Sequence, residues 1–169
     1  MSLGIYDYDN NILMADSRAY GGSSVHIGEK RKLHKVHTGP NGKPGYIVVS
    51  SRVVGMDAMI KAWFAGGCEH DDTIADKINN IATQEWIFVE KKTCLVYIAL
   101  NSIFMTGPLE LPGGIFVIGS EPDYALGIFD ITKDARLAMT NTTKYDKWSG
   151  YPIHGVNAKT GEEFTILEE

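Results

Sequence analysis

The sequence of 169 residues predicts an α+β fold, specifically a four-layer αββα sandwich in which two antiparallel sheets stack between pairs of helices. Three observations lead to this prediction. The segments follow the order strands, two helices, strands, two helices, strands. Several strand segments are joined by short turns typical of hairpins. The first helical segment is apolar nearly all round, as a helix packed between layers is. We expect residues 1–169 to form a single domain with a sizeable core.

The first part of the chain predicts strands. Segments 3–8 and 12–17 flank Asp9-Asn10-Asn11, and Asp and Asn tolerate the left-handed conformations that a hairpin turn needs. Alternating apolar and polar residues predict two further strands, at 23–27 and 32–37. The glycines and prolines of the next segment mark a surface loop, and the β-branched residues after it predict a buried strand at 46–50.

Two helices and a second group of strands follow. The apolar helix covers 53–64 and ends at Gly66-Gly67, and Asp71 or Asp72 caps a second helix to about residue 82. The strand-forming residues that come next predict a meander and one more buried strand, over 86–90, 93–101, 103–106 and 115–118.

The last third predicts a second helix pair and a hairpin. Gly119-Ser120-Glu121-Pro122 is typical of a turn from strand to helix, because proline suits an early helical position. We expect the second helix of this pair to be capped by Thr132 and ended by Gly150. The predicted helices are 122–130 and 134–148, and the terminal hairpin pairs 153–157 with 163–167.

Composition excludes several classes of partner. The net charge of −5 argues against nucleic acid and anionic membranes, since both favour basic patches. No apolar run approaches the roughly 18 residues that a membrane span needs. Two cysteines and the lack of a signal-like start predict a reducing, cytoplasmic location. The histidines at 26, 34 and 37 do not converge as metal ligands would, so we expect neither a metal nor a cofactor.

Asp16, Arg18 and Lys32 form a charged trio on three early strand segments. Taken alone, Asp16 and Lys32 are typical of a cross-strand ion pair. Five short motifs stand in order along the chain: Gly4-Ile5, Ala15-Asp16-x-Arg18-Ala19, Lys32-Leu33-x-x-Val36, Val54-Gly55-x-Asp57-Ala58 and Ile118-Gly119-Ser120-x-x-x-Tyr124-Ala125. Through these motifs, and without a gap from Gly4 to Val36, the chain resembles the start of a proteasome β-subunit. It is equally similar to the peptidase of a bacterial two-component ATP-dependent protease.

The resemblance implies an N-terminal-nucleophile hydrolase. In that family the hydroxyl of the first residue attacks a peptide carbonyl and the free α-amine of the same residue acts as base. Lys32 matches the lysine that activates the hydroxyl, and Asp16 matches the carboxylate that holds this lysine. Arg18 matches a structural arginine, and Ser120 matches the serine beside the amine. The family also implies a homo-oligomeric ring, an ATP-dependent unfoldase as partner, and a peptide or protein substrate.

The chain departs from the family at the nucleophile. Counting back from Asp16 without a gap ends one position before Met1, so Ser2, the nearby hydroxyl, requires a slip of two residues in the first strand. Such a slip keeps every side chain on its face, but Met1 blocks the amine of Ser2. Further departures are His154 and Asn157, expected where β-subunits carry a second Asp and another Ser, and Ser51-Arg52, which stand near the position of an oxyanion glycine.

The sequence therefore favours a threonine/serine-type peptidase subunit. Two alternatives stay open at this point. One is a non-catalytic ring or scaffold subunit that kept the fold and lost the nucleophile, and the other is a hydrolase of small amides with the same fold.

Overall fold

A computed structural model describes residues 2–20, 26–51, 55–68, 84–100, 106–109 and 113–168. Twelve strands and three helices lie within these ranges. The strands are β1 (Leu3–Asp7), β2 (Ile12–Ala15), β3 (Arg18–Tyr20), β4 (His26–Glu29), β5 (Leu33–Val36), β6 (Gly45–Ser51), β7 (Gln84–Glu90), β8 (Val96–Leu100), β9 (Thr106–Leu109), β10 (Ile115–Gly119), β11 (Ile153–Asn157) and β12 (Glu163–Ile166). The helices are α1 (Met56–Ala65), α2 (Pro122–Thr132) and α3 (Ala135–Tyr145).

Ten of these strands build two antiparallel five-stranded sheets. The first sheet has the order β10-β1-β2-β11-β12, and the second has the order β5-β6-β7-β8-β9. Strands β3 and β4 pair separately as a small two-stranded sheet, which the sequence pattern did not predict for residues 18–20. In the first sheet, Leu3 lies opposite Gly119 and Gly4 lies opposite Ala15, so β1 begins between the ends of β10 and β2.

Three apolar clusters define the layers. Side chains of both sheets, including Leu13, Val48 and Ile87, form the cluster between the sheets. The outer face of the second sheet packs on α1 through Trp86 and Phe64, whose rings meet edge to face at 5.3 Å. The outer face of the first sheet packs on α2 and α3. The order of layers is thus α2 and α3, first sheet, second sheet, α1, which confirms the predicted αββα sandwich.

Local signals explain most element boundaries. The β1–β2 hairpin turns at 8–11, where Asn11 takes the left-handed conformation with φ of 57°, and the terminal hairpin of β11 and β12 forms as predicted. Pro122 stands at the start of α2. The helix predicted for 71–82, the strand residues 101–105 and the start of the apolar helix at 53 lie outside the described residues.

The boundaries of α3 differ from the prediction at both ends. Asp134, rather than Thr132, is the cap, because its carboxylate accepts the backbone N–H of Leu137 at 3.0 Å. Thr132 instead ends α2 and donates its hydroxyl to the carbonyl of Ile128. The helix stops at Tyr145, three residues before the predicted end, since Asp146 already has an extended backbone. This early stop matters because it releases Asp146 for the site described below.

None of the helices in the described part of the chain has the length and the apolar character that crossing a membrane requires.

Candidate active site

Asp16 is the centre of the candidate site. It follows β2, and its side chain is fully buried. Oδ1 accepts the backbone N–H of Leu3 and the Lys32 ammonium, both at 2.9 Å. Oδ2 accepts Lys32 Nζ at 3.0 Å and the backbone N–H groups of Arg18 and Gly150 at 3.1 Å. Donors from four separate points of the chain therefore converge on one carboxylate, which stabilises its charged form.

Lys32 reaches Asp16 from the segment between β4 and β5. Only 8% of its side chain is exposed. Burial lowers the pKa of the Lys32 ammonium, and the Asp16 carboxylate opposes that change. Burial likewise raises the pKa of Asp16, while Lys32 and the N–H groups of Leu3 and Arg18 pull it back down. A buried amine whose pKa is lowered can exchange a proton closer to neutral pH than an exposed lysine can.

Ser120 lies on the other side of the start of β1. Its backbone N–H donates to the carbonyl of Ser2 at 2.8 Å, and its hydroxyl donates to Asp146 Oδ2 in a short hydrogen bond. Asp146 Oδ1 accepts the N–H of Trp148 at 3.0 Å, which fixes this carboxylate at the end of α3. Ser120 and Asp146 are both buried.

The backbone at Ser2 connects two pairs of residues, Asp16 with Lys32 and Ser120 with Asp146. Its carbonyl is bound to Ser120, and the N–H of the residue after it is bound to Asp16, which also holds Lys32. Leu3 N and Lys32 Nζ therefore donate to the same oxygen, Asp16 Oδ1. Ser2 is 3% exposed. Ser2 therefore precedes the peptide N–H that Asp16 binds, at the start of β1.

Arg18 has a supporting position. Its backbone N–H contacts Asp16, and its guanidinium Nη1 donates to the carbonyl of Lys147 at 3.2 Å. The guanidinium also lies against Gly150, where a Cβ atom would come within 2.4 Å of Arg18 Nε. Arg18 therefore fixes the 147–150 segment, which supplies the Gly150 N–H to Asp16.

The sequence assigned the wrong residues near the C-terminus. His154 and Asn157 lie on β11, where they pair with Ala15 and Ile12. The carboxylate beside Ser120 belongs to Asp146, and a fully buried serine, Ser149, precedes the Gly150 that contacts Asp16. The sequence did contain a signal, because Asp146 and Ser149 lie just before the predicted helix stop at Gly150. The helix predicted over 134–148 hid it, since Asp146 was placed inside that helix.

Two further expectations concern the site's surroundings. Ser51 ends β6 opposite Gln84, and Arg52 lies outside the described residues. Within the described ranges, no three His, Cys, Asp or Glu side chains converge as metal ligands would.

No family model matches the chain, and no curated protein matches it. Solved structures do resemble it. The Gly-1 mutant of Anbu from Hyphomicrobium sp. strain MC1 superposes with a TM-score of 0.73 at 13% identity, covering 100% of this chain and 88% of that one. A second Anbu structure from that strain gives 0.72 at 13% identity, and Anbu (ancestral beta-subunit) from Yersinia bercovieri gives 0.71 at 12% identity, each with the same coverage.

These comparisons correct the family suggested by the sequence. Membership of the proteasome β-subunit family, or of the related two-component protease peptidases, was wrong, since no family model matches and the similar structures are distant Anbu proteins. What the similarity establishes is the fold alone, which this chain shares with the Anbu structures.

Proposed function

We propose that this protein is a peptidase in which Ser2 acts as an N-terminal nucleophile. A single observation carries the proposal. Asp16 Oδ1 binds both Lys32 Nζ and the N–H of Leu3, so one buried carboxylate oxygen links the ammonium to the peptide that follows Ser2. An ordinary surface ion pair would not be buried to this extent, nor would its carboxylate also hold the backbone at the start of a strand.

The mechanism begins with cleavage of the Met1–Ser2 bond, which frees the α-amine of Ser2. An α-amine has an unperturbed pKa of about 8, so it can accept a proton near neutral pH. It takes the proton of the Ser2 hydroxyl as the oxygen attacks the substrate carbonyl. The amine then gives this proton to the leaving nitrogen, and the peptide bond breaks to leave an ester on Ser2. A water molecule, deprotonated by the same amine, attacks that ester; the bond to Ser2 breaks, the acid product leaves, and the amine returns the proton to the Ser2 oxygen.

The buried charges fit these steps. The Lys32 ammonium, held by Asp16, stabilises the alkoxide that develops on Ser2. The Ser120 hydroxyl donates to Asp146, which leaves its oxygen as an acceptor for the Ser2 ammonium. The hydrogen bond from the Ser120 N–H to the carbonyl of Ser2 supports this role.

The decisive experiment is a peptidase assay on protein whose N-terminus is verified by intact-mass measurement. Protein that begins at Ser2 should cleave fluorogenic peptides. Ser2→Ala should abolish turnover, and Ser2→Thr, which restores a hydroxyl, should retain it. Lys32→Ala should reduce kcat by about 10²-fold or more, whereas Lys35→Ala, at an exposed position on β5, should leave kcat unchanged. Full turnover in Ser2→Ala would refute the proposal.

The same experiment separates the alternatives. Protein that begins at Ser2, is folded and cleaves neither peptides nor small amides would be a non-catalytic ring or scaffold subunit. Turnover of small amides without peptides would indicate a small-amide hydrolase.

We further propose that the chain, as one domain over residues 1–169, assembles into a closed homo-oligomeric ring in the cytoplasm and receives unfolded substrate from an ATP-dependent unfoldase. This assembly proposal is supported by the fold, which the chain shares with a protein described as an ancestral beta-subunit. Additional support comes from exposed apolar side chains on the helical layer, among them Tyr124, Ile131 and Tyr145. Light scattering during gel filtration tests it, and a monomer at micromolar concentration would refute the ring.

A further inference from the structure

Glu85 links the second sheet to the candidate site in the first sheet. On β7, the alternation of side chains puts Ile87 and Val89 into the cluster between the sheets, while Trp86 and Phe88 face α1. Glu85 shares the inward-facing alternation of Ile87 and Val89. Its Oε2 accepts the backbone N–H of Gly119 at 2.9 Å, across the space between the sheets. A carboxylate in this position has no role in the apolar packing of the two sheets.

Among the described residues, the N–H that Glu85 binds has no partner on a neighbouring strand. Strand β10 is at the edge of its sheet, with β1 as its neighbour. Ser120 N donates toward β1, to Ser2 O, and the preceding N–H, of Gly119, goes to Glu85 instead. This N–H is partly buried, and leaving such a group without an acceptor is costly, so the carboxylate determines the orientation of this peptide.

Gly119 is also the bend that joins β10 to Ser120. Its φ is 96°, and a Cβ atom there would lie 1.6 Å from the carbonyl oxygen of Ser2 and 3.2 Å from Ser50 Oγ. The Gly119 backbone therefore packs directly against the Ser2 peptide. A rotation of Gly119 would move the Ser120 N–H and hydroxyl away from Ser2 and Asp146.

We propose that Glu85 is a positioning residue of the active site. Its carboxylate holds the Gly119 N–H and thereby sets the position of Ser120 and of the Ser2 carbonyl relative to Lys32. This inference rests on the proposed function, because the residues that Glu85 positions are the nucleophile Ser2 and its neighbour Ser120.

The test compares Glu85→Ala with Glu85→Gln in protein that begins at Ser2. Loss of the acceptor should lower kcat by about 10-fold or more, with KM changed less than about twofold, because misplacement by an ångström weakens the chemical step. Glutamine keeps an acceptor oxygen and should restore kcat to within about threefold of the unsubstituted protein. Glu163→Ala, which removes an exposed carboxylate on β12, is the matched control and should change neither constant.

A second measurement does not depend on activity. Hydrogen exchange of the Gly119 amide, followed by NMR, should be about 10-fold faster or more in Glu85→Ala and close to that of the unsubstituted protein in Glu85→Gln. If Glu85→Ala does not fold, Glu85→Asp, which is one methylene shorter, replaces it with the same expectations.

The outcomes separate the two proposals. Unchanged kcat and unchanged Gly119 exchange in Glu85→Ala would overturn the positioning role and leave the peptidase proposal standing. The positioning role would also be overturned if Glu85→Gln restored neither kcat nor the slow exchange of the Gly119 amide. An inactive parent protein with accelerated exchange in Glu85→Ala would refute the peptidase while supporting the contact between Glu85 and Gly119.

Discussion

Replacing Lys32 with methionine tests the electrostatics of the candidate site. The change removes the ammonium from a carboxylate that is fully buried and leaves Asp16 with the three backbone donors of Leu3, Arg18 and Gly150. Methionine has a similar length and fills most of the space of the lysine stem. Breaking a buried ion pair on one side costs about 3–5 kcal/mol, because the remaining charge is unpaired. We expect a loss of this size in the free energy of unfolding at pH 8.

The penalty should depend on pH in a defined direction. Burial raises the pKa of Asp16, and without Lys32 the largest opposing interaction is gone. In the variant, folding therefore takes up a proton, and stability falls as pH rises above the unfolded pKa of about 3.9. The variant can avoid burying a charged Asp16 by protonating it. Protonation costs about 1.4 kcal/mol for each pH unit above the unfolded pKa, so the destabilisation cannot exceed that amount. The limit is about 1.5 kcal/mol at pH 5 and exceeds 5 kcal/mol at pH 8, so the penalty should shrink on acidification.

Urea denaturation followed by fluorescence of the three tryptophans measures this. The difference between the unsubstituted protein and Lys32→Met is compared at pH 5 and pH 8. The matched control is Lys35→Met, because Lys35 lies 3.9 Å from Glu163 with both side chains exposed. It should cost less than about 1 kcal/mol at either pH. A penalty for Lys32→Met below about 1 kcal/mol at pH 8, or one that grows on acidification, would refute the reasoning.

Three further predictions concern the backbone, a helix cap and a thiol. Gly119→Ala should unfold the protein or lower its stability by several kcal/mol, because the new Cβ would overlap the Ser2 carbonyl. Its control is Gly127→Ala, on an open face of α2, which should raise stability by about 0.5–1 kcal/mol in the same urea titration. Asp134→Ala should cost about 1 kcal/mol by removing the cap of α3, and an unchanged melting temperature would contradict the cap. Burial raises the pKa of the Cys68 thiol to about 11, so iodoacetamide at pH 8 should alkylate it slowly in the folded protein and quickly in urea, as peptide mass mapping would record.

Hydrophobic patterning predicted the layers of this fold because each strand and helix faces a core on a defined side. Local preferences of a few residues predicted three further features. These are the hairpin at 8–11, the proline at the start of α2 and the apolar helix. The resemblance of the run from Gly4 to Val36 predicted that Asp16 holds Lys32, and the structure contains this ion pair. The cap of α3 was misread because Thr132 and Asp134 are both suitable cap residues and only the helix geometry selects between them.

The rest of the site required the tertiary structure. Asp146 and Ser149 follow a helix whose length the sequence overestimated, and His154 and Asn157 were chosen by counting along the chain although they pair within β11. Glu85 gave no local signal, because its partner Gly119 is 34 positions away, in another sheet. The contact of the Ser2 carbonyl gave no local signal either, because its partner is the N–H of Ser120, far along the chain.

The sequence by itself determined which residues face a core, where the chain turns, and that Asp16 and Lys32 belong together. The first two depend on short-range periodicity and on the chemistry of single residues, and the third came from the resemblance of the run from Gly4 to Val36. Only the tertiary structure decided that Ser2 lies between Asp16 with Lys32 on one side and Ser120 with Asp146 on the other. The reason is that this arrangement depends on hydrogen bonds between distant parts of the chain, and their geometry is set by how the two sheets pack.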